Sequence, residues 1–559
     1  MTSFGWPIGA IGRCGEALSE LTRLSGYDEL LLDRGQGSTG CAPEAAMGEW
    51  RTSISNEERE SAPIAARPYL TSCSSKTAVR WYAGFMSELF AQMPTALELA
   101  ESIRSLQVSP VEVLEWVAGR VDEANPRVNA IIWSDYEEAR QKAVAMASEL
   151  VHSGDVSLPP FFGVPLPIKD LTDVKGWPAS YGSLASSEDL KDESDLVVEG
   201  FERAGFVLFG RTNAPEFGPI PVTENLRYGA TRNPWNLELT PGGSSGGAAA
   251  AVASRMFPVA HGNDGGGSIR IPASCCGLVG LKVARGRVPS RTLSWEGGSV
   301  EGVLSRDVAD TAAILDQIAG PDPLQWYNAP APSRPFASAL ETDPGRLRVA
   351  MVTTAPFDLP VDPECLRAVE LTAQTLESLG HSIQPAELPN VDAFLGPFLN
   401  VVNTGLAGYR EVDWAHTDLH IQRNREAAMA VSSLDYVRSV GELQRWTREF
   451  LRQWGSDFDI LLSPTMSIQP PRAGAVLEEL HASGDTSSSS LTVLQMAVFT
   501  SAFNMTGQPA ISLPVHITEA GVPVGIQLVA EPWGELTLIG LAAQLERAIG
   551  WRERTLPSF

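Results

Sequence analysis

The sequence is short of several residue types that would point to common functions. Its six cysteines (Cys14, Cys41, Cys73, Cys275, Cys276 and Cys365) have no zinc-type spacing and are too few for a disulfide scaffold. Reduced thiols in a cytoplasm are the plain reading, with Cys275 and Cys276 as small packing residues. Basic charge is scarce. Lys and Arg number 42 against 67 Asp and Glu, a formal net charge of −25. That argues against a nucleic-acid or anionic-membrane partner, since both reward Lys and Arg. It fits a small neutral or cationic ligand. No run is long and apolar enough to span a bilayer, and the N-terminus lacks the basic and apolar regions of a signal peptide. Of the histidines, His261, His381, His416, His420, His481 and His516 sit in no recognisable triad context.

Residues 1–85 show only weak periodicity, with 16–32 the exception. Gly, Ser, Glu and Arg are interspersed there, as in RGQGSTGCAPEAA and TSISNEERESAP. A mostly disordered extension is expected. A start at Met86 or Met93, directly before the ordered part, is a second reading.

Glycine, by contrast, is concentrated. Between Thr240 and Lys282 lie two glycine-framed serine sites, GGSSGG at 242–247 and GGGSIR at 265–270. The Ala-rich run 248–254 between them reads as a short buried helix. Successive N–H groups in a Gly-rich turn can converge on an anion, and Gly265, Gly266 and Gly267 precede Ser268. Taken singly, either motif is most simply an ordinary glycine turn. Gly242 to Gly246 also satisfies G-x-S-x-G, the nucleophile elbow of α/β-hydrolases. The elbow needs an apolar strand before it, and here Pro241 stands at that strand's end.

The remaining chain alternates strands and helices, the rhythm of a layered α/β fold. Residues 95–106 and 109–123 read as helices, the second with Ser109 as N-cap, Pro110 at N1 and Glu112 closing a capping box. Strands are expected at 130–133, 206–209, 348–352 and 458–463, and helices at 136–152, 195–204, 307–319, 363–379 and 535–549. Residues 390–455 look largely helical, either a surface insertion or a substrate-shaping one. Residues 483–490 form a low-complexity serine loop. In FGVPLPIKD, Lys169 ends an apolar strand-like run. It is either paired inside or snorkels to water, and on this stretch alone the choice is even.

Together, GVPLPIKD, GGSSGG and NDGGGSIRIPA resemble the amidase signature family, and FNMTGQPAISLPV at 503–515 extends the likeness to about residues 93–555. The resemblance implies an α/β fold with a mixed central sheet covered by helices on both faces, in one domain over 86–555. It implies hydrolysis of a small carboxylic amide through a serine acyl-enzyme, without metal or organic cofactor. Lys169 would be the base, Ser244 the relay serine usually held in a cis peptide, and Ser268 the nucleophile; spacing alone does not choose Ser244 over Ser245. Gly265, Gly266 and Gly267 would form the oxyanion hole, and Gly218 would lie near the substrate channel. Asp264 and Arg270 would brace the loop. Many members carry Thr or Ile where Gly265 stands, and this form resembles the branch containing 6-aminohexanoate cyclic dimer hydrolases. A third glycine there is expected to loosen the hole or widen the pocket. Two other functions stay in view: a glutamine-hydrolysing subunit of a tRNA-dependent amidotransferase, and an α/β-hydrolase-type esterase. A homodimer is compatible with all of these.

Overall fold

A computed structural model describes residues 93–554, apart from 153–156, 188, 389–390, 484–485 and 487–489. The extension 1–85 and most of the serine loop lie outside the described residues.

Two sheets carry the site. The smaller contains β1 (Ile131–Ser134), β2 (Pro165–Lys169) and β3 (Val207–Thr212), in the order β1-β3-β2. The larger has eight strands: β4 (Val259–Asp264), β5 (Val279–Lys282), β6 (Val300–Ser305), β7 (Arg348–Met351), β8 (Ser382–Pro385), β9 (Ile460–Pro464), β10 (Ala510–Ile517) and β11 (Pro523–Ala530). Their order is β4-β6-β5-β10-β11-β9-β7-β8. The pairs from β4 to β9 are antiparallel, whereas β9-β7 and β7-β8 are parallel. The expected α/β class with a mixed sheet flanked by helices is what forms. The separate three-stranded sheet is an addition. Its edge strand β2 runs beside β4, the edge of the larger sheet, and the two meet through a side chain: the Lys169 N–H donates to His261 Nδ1 at 3.3 Å.

Local signals explain much of this. The helix Pro110–Val128 begins with the expected reciprocal Ser109–Glu112 cap. It runs past residue 123 and tolerates Pro126 near its end, where left-handed Asn129 stops it. Strand β3 runs to Thr212, beyond the expected 209, because charge need not end a strand when it is matched. Buried Arg211 lies 3.5 Å from Asp170 and donates to the Thr172 carbonyl. Every residue of the helix Gly246–Ala253 is buried, so small side chains let it pass between layers.

Residues 390–455 form the helices Asp392–Ala407, Leu419–Ala430 and Ser433–Phe450. They pack through aromatic rings, with Phe394 4.8 Å from Trp446, and Trp446 4.8 Å from Phe450 between centroids. Such pairs add about 0.5–1.5 kcal/mol each beyond area burial. No helix among the described residues is long and apolar enough to cross a membrane.

Candidate active site

Lys169 is the last residue of β2 and is fully buried. Of the two readings open for it, the inward one is correct. Its Nζ lies 2.7 Å from Ser244 Oγ, 2.9 Å from Ser245 Oγ and 2.7 Å from Asn263 Oδ1. These partners are all neutral oxygens. Burial therefore dominates, pulling the amine down to about 7 against the opposing influence of Glu301 and Asp264.

The hydrogen bonds can be met by a neutral amine. Ser245 Oγ already donates to the Asn263 carbonyl at 3.2 Å, so toward Lys169 it can only accept. Asn263 Oδ1 can only accept. The two N–H bonds of a neutral amine serve these two groups, and its lone pair is left for the Ser244 hydroxyl proton.

Ser244 follows Gly243 through a cis peptide bond, and the next helix starts at Gly246. No strand leads into this loop, so the strand–turn–helix of a nucleophile elbow is missing. Among the described residues no histidine hydrogen-bonds Ser244, Ser245 or Ser268. His261, the nearest to the lysine, instead pairs with Glu301 at 2.8 Å. Gly218, at φ +81, lies beside Ser244: a Cβ there would sit 3.6 Å from Ser244 Oγ.

The second loop leaves the end of β4. Ser268 is half-buried, and its carbonyl accepts the Ser245 N–H at 3.2 Å, which ties the two serine loops together. Asp264 frames this loop from within. It accepts from the N–H groups of Gly267 at 2.8 Å and Ile269 at 3.1 Å, and from Arg270 Nη2 at 2.8 Å. Asn504 Nδ2 donates to both its carbonyl and its carboxylate. Burial would raise the Asp264 carboxyl, but Arg270, Lys282 and Asn504 outweigh it and hold the group well below the usual range. The expected Asp264–Arg270 brace is thus present and fully buried.

Two features differ from expectation. The N–H of Gly267 is spent on Asp264, whereas those of Gly265, Gly266 and Ser268 have no protein acceptor among the described residues. The space beside Gly265 is not open either, because the Trp295 ring fills it. Asn263 was not anticipated as part of the site, although it directly precedes the aspartate of the NDGGGSIR loop. Free Cys275 and Cys276 are buried packing residues, as expected.

A buried lysine, rather than a histidine, hydrogen-bonded to the serines of paired glycine-rich loops marks a class of serine hydrolases acting on amides. Residues 112–539 match the family model described as Amidase, and the chain belongs to this family, as an amidase-signature hydrolase of carbon–nitrogen bonds. It is 38% identical over 482 residues to the 6-aminohexanoate-cyclic-dimer hydrolase of Paenarthrobacter ureafaciens, covering 81% of this chain and 94% of that one. It is 32% identical to an acylamidase of Rhodococcus erythropolis, over 84% of this chain and 98% of the relative. A solved 6-aminohexanoate cyclic dimer hydrolase, complexed with substrate, superposes with a TM-score of 0.78 at 36% identity, over 83% of this chain and 98% of the other.

Proposed function

We propose that Lys169, Ser244 and Ser268 carry out the hydrolysis, on a small, uncharged, largely aliphatic amide, linear or cyclic. Ser268 Oγ attacks the carbonyl carbon while its proton passes through Ser244 to Lys169. The N–H groups of Gly265, Gly266 and Ser268 hold the developing oxyanion, a contribution of about 2.7–4 kcal/mol per donor in comparable sites. Lys169 then returns the proton through Ser244 to the leaving nitrogen, and water cleaves the acyl-enzyme. The observation that carries this reading is the 2.7 Å approach of a buried lysine amine, drawn down to about 7, to Ser244 Oγ.

The substrate class rests on the walls. Phe398, from the helix Asp392–Ala407, lies 3.9 Å from where a Gly266 Cβ would be. On the Gly218 side, Phe217 packs against Tyr409 at 4.8 Å between centroids, with Trp414 at 6.0 Å. We take these rings, Phe398, Tyr409 and Trp414 from residues 390–455, as walls of the proposed channel, where they would favour an apolar acyl chain. The cyclic-dimer hydrolase and acylamidase relatives support an amide of that kind. The free, buried Cys275, Cys276 and Cys365 support a reducing compartment, the cytoplasm. The enzyme would act without a nucleic-acid or membrane partner, and as a homodimer if it assembles.

The test is a screen of the isolated chain on 6-aminohexanoate cyclic dimer, linear aliphatic amides, anilides and glutamine, followed by fluorophosphonate labelling. Turnover of apolar amides with the label on Ser268 is expected. Activity confined to glutamine, or a label on Ser244 with Ser268 free, would overturn the assignment.

A further inference from the structure

A second cluster lies away from the serine loops. Asp418 caps the helix Leu419–Ala430, His420 stands in its first turn, and His481 comes from the helix Ala475–Ser483. Asp418 Oδ1 lies 2.8 Å from His420 Nδ1 and 2.7 Å from His481 Nε2. One ligand atom from each residue falls within 4.8 Å of the others. Asp418 and His420 are 2% and 1% exposed, whereas His481 reaches the surface.

Hydrogen bonding alone leaves this cluster unbalanced. Oδ1 of Asp418 faces three donors, since the His420 backbone N–H also points at it, at 3.1 Å. Oδ2, equally enclosed, has no partner, and neither has His420 Nε2. A second buried carboxylate adjoins: Glu216 Oε2 accepts the Asp418 N–H at 2.8 Å. The ion-pair partners of Asp418 among the described residues are the two histidines, which carry charge only when protonated.

We propose that Asp418, His420 and His481 bind one divalent transition-metal ion, with zinc as the first candidate. Two imidazoles and a carboxylate are a donor set that zinc accepts, with metal–nitrogen bonds of about 2.0–2.1 Å. Ligand atoms around a tetrahedral zinc lie about 3.3–3.4 Å apart, so Asp418 Oδ1 and the two imidazole nitrogens it meets, now 2.8 and 2.7 Å away, have to separate by roughly 0.6 Å. The ion would take up the idle Asp418 Oδ2 and supply the positive charge that two adjoining buried carboxylates lack. Water would complete its shell on the exposed His481 side. The role is structural. The ion pins the helices Leu419–Ala430 and Ala475–Ser483 to Glu216, and Glu216 is two residues from Gly218, which flanks Ser244. It therefore holds one wall of the channel without touching the reacting atoms.

The experiment uses tag-free full-length enzyme, stripped with chelator and titrated with Zn²⁺ by calorimetry and with Co²⁺ by visible absorption. One ion per chain, with micromolar or tighter affinity and protein-dependent cobalt bands, is expected. His481→Ala removes a surface-reaching ligand, so its fold is readily retained and can be checked by circular dichroism without metal. It should weaken Zn²⁺ binding at least about tenfold, and Asp418→Asn should do the same. Absence of saturable binding below millimolar Zn²⁺, or unchanged binding in a folded His481→Ala enzyme, would overturn the proposal.

Discussion

The indole of Trp295 stands where a side chain at position 265 would project. A Cβ built on Gly265 would come within 2.5 Å of the ring's Cε3, and one on Gly405 within 2.6 Å of its Cδ1. One ring thus fits only because two glycines, one in the serine loop and one in the helix Asp392–Ala407, leave it room. The ring is carried on a turn in which Trp295 itself has φ 53 and ψ 51. Gly265→Ala should lower kcat/KM at least roughly tenfold, and Trp295→Ala in that background should restore part of the loss. Contacting residues couple by about 0.5–3 kcal/mol, so a double-mutant cycle on amide turnover is the measurement. Simple additivity would mean that the glycine serves the loop backbone alone.

Lys169→Ala should cost more on an amide than on an ester with the same acyl group. An amine must be protonated as it leaves, whereas an alkoxide needs much less help. General acid–base assistance is typically worth about 10²–10⁴-fold, and a gap of at least roughly tenfold in kcat/KM is expected. Matched substrates with acylation limiting both rates make the comparison. Equal losses would assign the proton return to another group.

The pH profile follows from the same amine. With neutral Lys169 as the proposed base, kcat/KM should rise with pH and level off above about 7. Lys282, also fully buried, is likewise drawn down by burial to about 7, but its Nζ donates to the Val283 carbonyl. Lys282→Met should therefore keep the acidic limb of the profile. Disappearance of that limb in Lys282→Met would transfer it to the wrong lysine.

Asp264→Ala should be a stability lesion before it is a catalytic one. It strands the buried Arg270 guanidinium and frees the N–H groups of Gly267 and Ile269. Breaking a buried pair by removing one partner costs about 3–5 kcal/mol. Chemical denaturation should show the loss. A variant of unchanged stability would mean that Arg270 finds a replacement partner.

What could be read from the chain follows the range of each interaction. The Ser109–Glu112 cap and the Asp264–Arg270 brace join residues three and six apart, and both were legible. The family likeness carried the fold class and the candidate triad, because its motifs are themselves short. Lys169 alone was ambiguous: a lysine ending an apolar run looks the same whether it meets water or Ser244. Asn263 was missed because its role depends on β4 lying beside β2, a placement no local pattern encodes. The pocket beside Gly265 was misjudged for a similar reason. An absent side chain reads as space until Trp295 and Gly405 are brought to it from elsewhere.

The meeting of β2 and β4 gives the enzyme a weak point distinct from its melting point. Lys169 hangs from one sheet, while Asn263 and Ser268 hang from or just beyond the edge of the other. Between the two edge strands the hydrogen bonds run through side chains, from the Lys169 N–H to His261 Nδ1 and from Lys169 Nζ to Asn263, where a continuous sheet would have a backbone ladder. Local openings can occur well below the free energy of global unfolding. Heat or mild denaturant should therefore silence turnover while circular dichroism still reports native secondary structure, and cooling should bring activity back without refolding.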